Sequence, residues 1–252
     1  MSYKKRVSLA LLCVLVISGM LAIIWLYMID PKPDSFPTNK QLINQMNEIF
    51  PEAAAKDVQD IVRIDKRHKV VPYFSEEGDY GISYWEWRLH KWQIVYIDTT
   101  GKPSIWKIDK GDPSTYYFVW NLQSSDQLGS LKFFFIRDRQ FYSVDGEETY
   151  HPRIQMETKV KLKKSYGIMP IPEKWGPVVK SLKQIETSPF PTFIYNADPP
   201  SYHMFYGWIP YDQKGQEATD LLKINGNSYY GDGVNIEELM ILGKEEIDVL
   251  GN

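Results

Sequence analysis

An uncharged, apolar run over residues 7–29 constrains this chain more than any other feature of its sequence. A helix rises about 1.5 Å per residue, so a helical run of this length covers a hydrocarbon core of roughly 30 Å with some tilt. Trp25 and Tyr27 lie near the far end of the run, where amphipathic rings prefer the level of the lipid headgroups. The sequence therefore predicts a transmembrane anchor over residues 7–29.

Three alternatives explain this run less well. A cleaved signal peptide has an apolar core of about 7–15 residues and small residues at its cleavage site, whereas the nearest such site here begins with Met20. A lipoprotein signal places a small residue before the modified cysteine, but Leu12 precedes Cys13. A buried core helix is the third alternative, and the three cations just before the run disfavour it.

The charges around the run predict its orientation. The tail over residues 1–6 carries three cations, whereas the spacer over residues 30–37 contains three prolines and no excess of positive charge. Because cations are retained on the cytoplasmic side, we expect a single-pass signal-anchor protein of the cell membrane. Its tail would be cytoplasmic, and residues 38–252 would form one extracytoplasmic domain.

Charge and cysteine content exclude several kinds of partner and site. Of the 29 basic side chains three precede the run, so 26 basic and 32 acidic side chains remain, a net charge of −6. This balance argues against nucleic-acid binding, which needs clustered Lys and Arg to neutralise phosphates. Cys13 is the single cysteine, so the domain has no intramolecular disulfide and no thiolate metal site. A cysteine-free domain of this size is typical of a bacterial envelope protein.

The periodicity of apolar residues predicts an α+β fold. Thr38 and Gln41 form a capping box at the start of one helix, and further helices are predicted over residues 173–186 and 235–242. Runs rich in aromatic and β-branched residues, separated by turn sequences, predict antiparallel strands. The predicted strands cover residues 70–74, 80–89, 92–98, 104–109, 115–122, 131–137, 140–144, 154–163 and 202–209. The expected fold is an N-terminal transmembrane helix followed by one domain, a twisted antiparallel β-meander with two or three packed helices.

No established catalytic or metal-binding motif occurs in the sequence. The four histidines, His68, His90, His151 and His203, lack the spacing of a zinc site, and we expect surface positions for them. The chain has no Gly-x-Ser-x-Gly nucleophile elbow and no phosphate-binding glycine-rich loop. We therefore expect no metal, no cofactor and no assignable catalytic residue, and we interpret the chain as a binding protein rather than an enzyme.

Clustered carboxylates keep a hydrolase open as an alternative. Glu76, Glu77 and Asp79 precede a predicted strand, and Glu147 and Glu148 lie in a predicted loop. Glycosidases use two carboxylates that face each other across a cleft. A sequence does not reveal that distance, and acidic clusters in loops are usually only solvated.

Aromatic density is the most unusual feature of the domain, with eleven aromatic side chains between residues 80 and 120. Successive strand residues face opposite sides, so these rings lie on both faces of the predicted sheet. One interpretation is a platform on which a sugar or an apolar partner surface stacks. The alternative is a core on both faces, with one face under the helices. The candidate ligand-binding platform consists of Tyr84, Trp85, Trp87, Trp92 and Trp106.

The hypothesis from the sequence is a membrane-anchored, non-enzymatic envelope module that binds a protein partner or a wall polymer. Its plan of a cationic start, one helix and a cysteine-free domain resembles that of small bacterial envelope proteins, in organisation only. Two alternatives are a membrane-anchored hydrolase of cell-wall glycans and a structural or assembly subunit whose anchor helix makes the contacts. The expected partners are the membrane, through residues 7–29, and an envelope protein or wall polymer, but no nucleic acid.

Overall fold

The computed structural model describes residues 11–22, 33–123, 127–144, 147–187, 204–222 and 225–248. Strands dominate this part of the chain. Residues 11–22 are helical and form α1, α2 covers Asn39–Ile49 and α3 covers Trp175–Thr187. The strands are β1 Ala55–Val58, β2 Val62–Arg63, β3 His68–Ser75, β4 Tyr80–Arg88, β5 Lys91–Asp98, β6 Ser104–Lys107, β7 Tyr116–Asn121, β8 Leu128–Arg137, β9 Gln140–Val144, β10 Glu147–His151, β11 Ile154–Lys161, β12 Tyr166–Pro170, β13 Met204–Asp212, β14 Ser228–Tyr230, β15 Ile236–Glu238 and β16 Met240–Ile241.

Both ends of α2 are fixed by polar side chains. At its start, the backbone N–H of Thr38 donates to the side-chain oxygen of Gln41 over 2.9 Å, so the predicted capping box is confirmed. Near its end, the Asn47 amide donates to the carbonyl of Ala55 and accepts from the N–H of the same residue, over 2.9 and 2.7 Å. These two bonds fasten the helix to the beginning of β1.

Three sheets carry the fold. The first sheet has the order β1-β3-β4-β5-β14, with β2 beside β3. The second sheet has the order β12-β7-β6-β15, and the third has the order β11-β8-β13-β16. The pairs in these sheets are antiparallel apart from β13 with β16, which is parallel. A separate antiparallel hairpin is formed by β9 and β10.

The cores lie between these layers, because successive side chains of a strand point to opposite faces. Met46 of α2 packs on the outer face of the first sheet. The core between the first and second sheets includes Tyr84 and Val119. The core between the second and third sheets includes Phe118 and Phe133, whose rings stack with their centroids 4.4 Å apart. Central strands are thus buried on both faces, which explains their nearly continuous apolar sequences.

The fold class expected from the sequence, an α+β domain behind a transmembrane helix, is wrong: the described chain is mostly β. The strands predicted as one meander are divided among the three sheets and the β9–β10 hairpin. The helix predicted over residues 235–242 is replaced by β15 and β16, where Ile236 pairs with Trp106 and Met240 pairs with Gly207. Pairing with strands far away in sequence outweighs the local pattern there, since strand preference depends on context more than helix preference does.

The transmembrane anchor predicted over residues 7–29 is also corrected. In the part of the chain that the structure describes, no helix is long and apolar enough to cross a membrane. Of this run, the structure describes residues 11–22, which are helical, and its other residues lie outside the described ones. The predictions that depended on the anchor are corrected with it: a single-pass protein of the cell membrane, a cytoplasmic N-terminus and an extracytoplasmic domain.

Candidate functional site

The five aromatic residues of the candidate platform lie inside the protein. Tyr84 and Trp85 are fully buried, and Trp106, Trp87 and Trp92 are 2%, 5% and 8% exposed. Stacking a ligand requires an exposed ring face, and the described positions of these rings provide none. The rings lie in cores on both faces of the first sheet, the arrangement given by the second interpretation of the sequence.

These rings are divided between two cores. Trp85, Trp87 and Trp92 pack under α2 on the outer face of the first sheet, whereas Tyr84 and Trp106 lie between the first and second sheets. Several of their polar atoms form hydrogen bonds within the protein. The Tyr84 hydroxyl, for example, is hydrogen-bonded to the hydroxyl of Ser104 over 2.5 Å. A functional site therefore has to be sought elsewhere.

A small polar pocket opens at one end of the first sheet and has a volume of about 230 Å³. We call it the Tyr73 pocket, after one of the residues that line it. Four segments build it: the turn before β1, the β3–β4 hairpin, the end of β5 and the loop before β14. Its principal lining residues are Glu52, Tyr73, Glu77, Asp79, Gly81 and Thr99.

The wall that carries Glu52 is a 3-10 turn over Pro51–Ala53. Ala54 ends this turn in a left-handed conformation, with φ of 40°. Its carbonyl accepts a hydrogen bond of 2.8 Å from the N–H of Glu76. The turn is thereby joined to the loop between β3 and β4, and the two acidic segments face the same pocket.

The second acidic wall is the β3–β4 loop, which contributes Glu77 and Asp79. The loop reverses at Gly78, whose φ of 84° is readily available to glycine alone. The N–H of Ser75 donates to the carbonyl of Asp79 over 2.9 Å, and the N–H of Asp79 donates to the Ser75 hydroxyl over 3.0 Å. These bonds hold the loop in a fixed shape.

Tyr73 and Gly81 are paired directly across β3 and β4, and both line the pocket. A Cβ atom on Gly81 would lie 2.1 Å from Cζ of Tyr73 and 2.4 Å from its hydroxyl oxygen, so the ring lies across the glycine. Tyr73 is fully buried, yet its hydroxyl has no hydrogen-bond partner among the described residues. Burial, aided by the nearby carboxylate of Asp98, raises the pKa of Tyr73, so this hydroxyl keeps its proton at neutral pH.

The opposite wall joins the end of β5 to the loop before β14. The N–H of Asn227 donates to the hydroxyl of Thr99 over 2.9 Å, and the N–H of Thr99 donates to the carbonyl of Asn227 over 3.1 Å. Gly226, which precedes Asn227, lies close to Thr100. A Cβ atom added to Gly226 would be 2.4 Å from the methyl carbon of Thr100. This wall offers amide and hydroxyl groups, including those of Asn225 and Thr99.

The described lining of the Tyr73 pocket is acidic. It contains the three carboxylates of Glu52, Glu77 and Asp79 and no lysine, arginine or histidine. In the part of the chain that the structure describes, no group of three or more His, Cys, Asp or Glu side chains is arranged to hold a metal ion. The described lining therefore offers hydrogen-bonding groups to a polar ligand.

Sequence reasoning found only part of this site. The acidic cluster before β4 was recognised, and two of its members, Glu77 and Asp79, line the pocket. The pair Glu147 and Glu148 belongs instead to the β9–β10 hairpin. Tyr73 has no signal of its own in the sequence, because its unpartnered hydroxyl and the pocket walls around it result from contacts among distant segments. No local signal could have indicated it.

The structure also places His68 differently from its expected surface position. Its side chain is only 12% exposed, and its Nδ1 lies 2.8 Å from a carboxylate oxygen of Asp65. Its Nε2 lies 3.7 Å from Glu86 across the β3–β4 pair. Burial alone would lower the pKa of His68, but hydrogen bonding and attraction to the two carboxylates outweigh it and raise the pKa. We interpret this cluster as structural, because each of the two carboxylates contacts the imidazole.

No protein family, curated protein or solved structure matches the chain. The function is therefore argued from the geometry of the Tyr73 pocket alone.

Proposed function

We propose that the protein is a non-enzymatic binding module that holds a small polar ligand in the Tyr73 pocket. The observation that carries this proposal is Tyr73, a residue of the pocket lining whose hydroxyl is buried and has no hydrogen-bond partner among the described residues. A buried polar group that is left unpaired costs about 1–3 kcal/mol. The hydroxyl oxygen is closed off from solvent, so a ligand reaches it only when the pocket wall shifts, and a ligand that then bonds to it recovers that free energy.

The size of the pocket limits the ligand. Pockets for drug-sized ligands measure roughly 300–1,000 Å³, and the Tyr73 pocket is smaller, at about 230 Å³. It suits one small molecule or one terminal group of a larger one. The partner classes expected from the sequence, an envelope protein or a wall polymer, stay predictions, since either could present such a group.

The hydrolase alternative draws on the same carboxylates. A glycosidase needs one carboxylic acid that its surroundings keep protonated, opposite a second carboxylate. Glu52 and Glu77 are exposed to solvent, which supports binding over acid catalysis. Release of reducing sugar from a glycan by the wild type, and its loss in Glu77→Gln, would favour the hydrolase instead.

The test of this proposal is the substitution Tyr73→Phe. It keeps the ring across Gly81 and removes only the hydroxyl. Stability should be unchanged or slightly higher, since an unpaired polar group is lost, whereas ligand binding should weaken about tenfold. The measurement is a titration followed by amide NMR, with a panel of monosaccharides, amino acids and short amines at about 10 mM, above the millimolar Kd expected for ligands this small. We expect at least one of them to shift the amide signals of Gly81 and Gly226.

Tyr206→Phe is the matched control. Tyr206 is another buried tyrosine whose hydroxyl has no partner among the described residues, and it lies in the core between the second and third sheets, away from the pocket. This variant should bind as the wild type does. If no member of the panel shifts the pocket signals, or if both variants bind equally well, the proposal is wrong.

A further inference from the structure

We infer that the protein forms a symmetric dimer in which β11 of one copy pairs antiparallel with β11 of a second copy. This pairing joins the third sheets of the two copies into one continuous sheet about a twofold axis. The inference concerns the outer edge of the third sheet and is independent of the Tyr73 pocket.

The backbone of β11 is available for pairing on its outer side. β11 ends the third sheet, and no strand of the described chain pairs with its outer edge. The N–H of Leu162, directly after β11, donates to the carbonyl of Gly129 over 3.0 Å. Because backbone groups alternate between the two sides of a strand, the even-numbered residues of β11 bond to β8. The outward N–H and C=O groups can accept a further strand, and they belong to Gln155, Glu157, Lys159 and Lys161.

The charges of β11 match a second copy in one register. Glu157 and Lys159 are both exposed on the outer face of the sheet. A twofold axis at Thr158 places Glu157 of each copy opposite Lys159 of the other. Opposite charges in directly paired positions stabilise a sheet, and like charges destabilise it. An axis at Glu157 or at Lys159 would place that residue opposite its own copy, so the axis at Thr158 is favoured.

The charge pattern within a single copy is unbalanced at the same place. Lys159 is directly opposite Lys132 of β8. Lys132 already forms an ion pair with Glu157, with its Nζ 3.1 Å from a carboxylate oxygen. Two cations in register therefore lie beside one carboxylate. Glu157 of the second copy adds a carboxylate opposite Lys159, so pairing offsets this repulsion.

The other face of β11 is apolar and incompletely covered. Its side chains pack on the core between the second and third sheets but are only partly buried, and they are Ile154, Met156, Val160 and Leu162. The axis at Thr158 places Met156 opposite Val160 of the second copy. It places Ile154 opposite Leu162 in the same way. Since removal of apolar surface from water favours association, both faces of β11 are matched to a second β11.

The lysines of β11 also have a protective effect. Lysine on an edge strand commonly prevents pairing with other chains, and Lys159 and Lys161 are both exposed. Protection alone does not require a carboxylate among them, whereas self-pairing does. Glu157 supplies that carboxylate, so the edge disfavours most other strands and accepts a second β11.

The first measurement is the oligomeric state of the full-length protein by sedimentation equilibrium, from about 10 μM to about 1 mM, a range that detects a Kd of up to about 1 mM. We expect a monomer–dimer equilibrium that depends on concentration. The dimer should be weak, because one pair of strands buries less than the roughly 1,200–2,000 Å² of a standard interface.

Charge variants test the register. Lys159→Glu should raise the Kd of the dimer at least about tenfold, because carboxylates then face each other across the axis. It should not destabilise the monomer, since it removes the like charge opposite Lys132. The double variant with Glu157→Lys and Lys159→Glu exchanges the two charges and should restore the Kd to near that of the wild type. Lys91→Glu is the control, because Lys91 is exposed on β5 in the first sheet and makes the same change in net charge.

A disulfide tests the geometry at the axis. The two copies of Thr158 form a non-hydrogen-bonded pair, with Cα atoms about 4.5 Å apart, within the range of about 4.4–6.8 Å for disulfides. Cys13 is the only cysteine of the chain, so the test uses a Cys13→Ser background. Thr158→Cys should form a covalent dimer under mild oxidation. Ser114→Cys, exposed in the turn before β7, is the control and should crosslink at least about tenfold more slowly.

The inference is supported by a dimer that Lys159→Glu weakens, that the charge exchange restores and that Thr158→Cys captures. A protein that stays monomeric at about 1 mM would overturn it. A dimer that Lys159→Glu leaves intact, or one in which Thr158→Cys crosslinks no faster than Ser114→Cys, would place the interface elsewhere and overturn it as well.

Discussion

The imidazole of His68 lies between two carboxylates, with its ring set edge-on to Trp106 at a centroid distance of 5.2 Å. One carboxylate, Asp65, also accepts from the backbone N–H of His68 itself, so it is fixed in place before the imidazole is protonated. The other, Glu86, is oriented by an ion pair with Arg88. Both carboxylates are therefore already in position to contact the protonated imidazole.

Stability should consequently depend on pH through His68. Its folded-state pKa is raised above the ordinary value of 6.5, so the folded state binds the proton more tightly than the unfolded state does. The stabilisation is complete below about pH 6.5 and is lost as the pH rises through the folded pKa, with a slope of at most about 1.4 kcal/mol per pH unit. We expect the free energy of unfolding, measured by urea denaturation, to fall between about pH 6 and pH 9 in the wild type.

The variant His68→Gln should show a smaller fall over the same range, because glutamine does not titrate. Asp65→Asn should give an intermediate slope, since one of the two carboxylates remains. Equal slopes for the wild type and His68→Gln would show that the imidazole is not the group responsible. The sequence alone does not reveal this arrangement, because the contact between His68 and Glu86 depends on the pairing of β3 with β4.

In two pairs of strands, an aromatic ring of one strand lies across a glycine of the neighbouring strand. Tyr73 of β3 lies across Gly81 of β4, and Trp120 of β7 lies across Gly167 of β12; in both cases the two residues are directly opposite each other. A Cβ atom on Gly167 would lie 2.2 Å from the Trp120 ring. The glycine provides the space that the ring fills, as in other sheets where an aromatic side chain covers a strand glycine.

Alanine at either glycine should therefore destabilise the protein by about 1–3 kcal/mol, the usual cost of overpacking a core. The two variants should differ in function. Gly81→Ala displaces the Tyr73 ring and should abolish ligand binding, whereas Gly167→Ala acts on Trp120, which lies in the core between the second and third sheets and does not line the pocket, and should leave binding by the folded protein unchanged. The measurements are urea denaturation and the amide NMR titration with the ligand panel. Loss of binding in both variants would mean that binding follows stability rather than the position of Tyr73.

The positions of many elements could be predicted because their signals are local. Thr38 and Gln41 begin α2, as their capping sequence indicates. The predicted strand over residues 92–98 nearly matches β5, since its apolar residues and bounding turns are adjacent in sequence. The burial of Trp85 and Tyr84 on opposite faces follows from strand alternation. That both faces of the first sheet are covered depends on layers that no local pattern reveals.

The arrangement of the layers could not be predicted, because the last described part of the chain adds one strand to each sheet. β14 pairs with β5 in the first sheet, β15 with β6 in the second and β16 with β13 in the third. Each contribution is only two or three residues long, too short for a recognisable period. The loop before β14 also completes the wall of the Tyr73 pocket. The site therefore exists only in the assembled fold, as contacts among distant segments.

A crystal structure of the protein grown with a saturating concentration of the panel compound that binds most tightly tests the central claim most directly. We predict density for one molecule of that compound in the Tyr73 pocket, with a polar atom within about 3.2 Å of the Tyr73 hydroxyl oxygen. A pocket that contains only water at a saturating concentration, or a compound bound at another surface, would contradict the account.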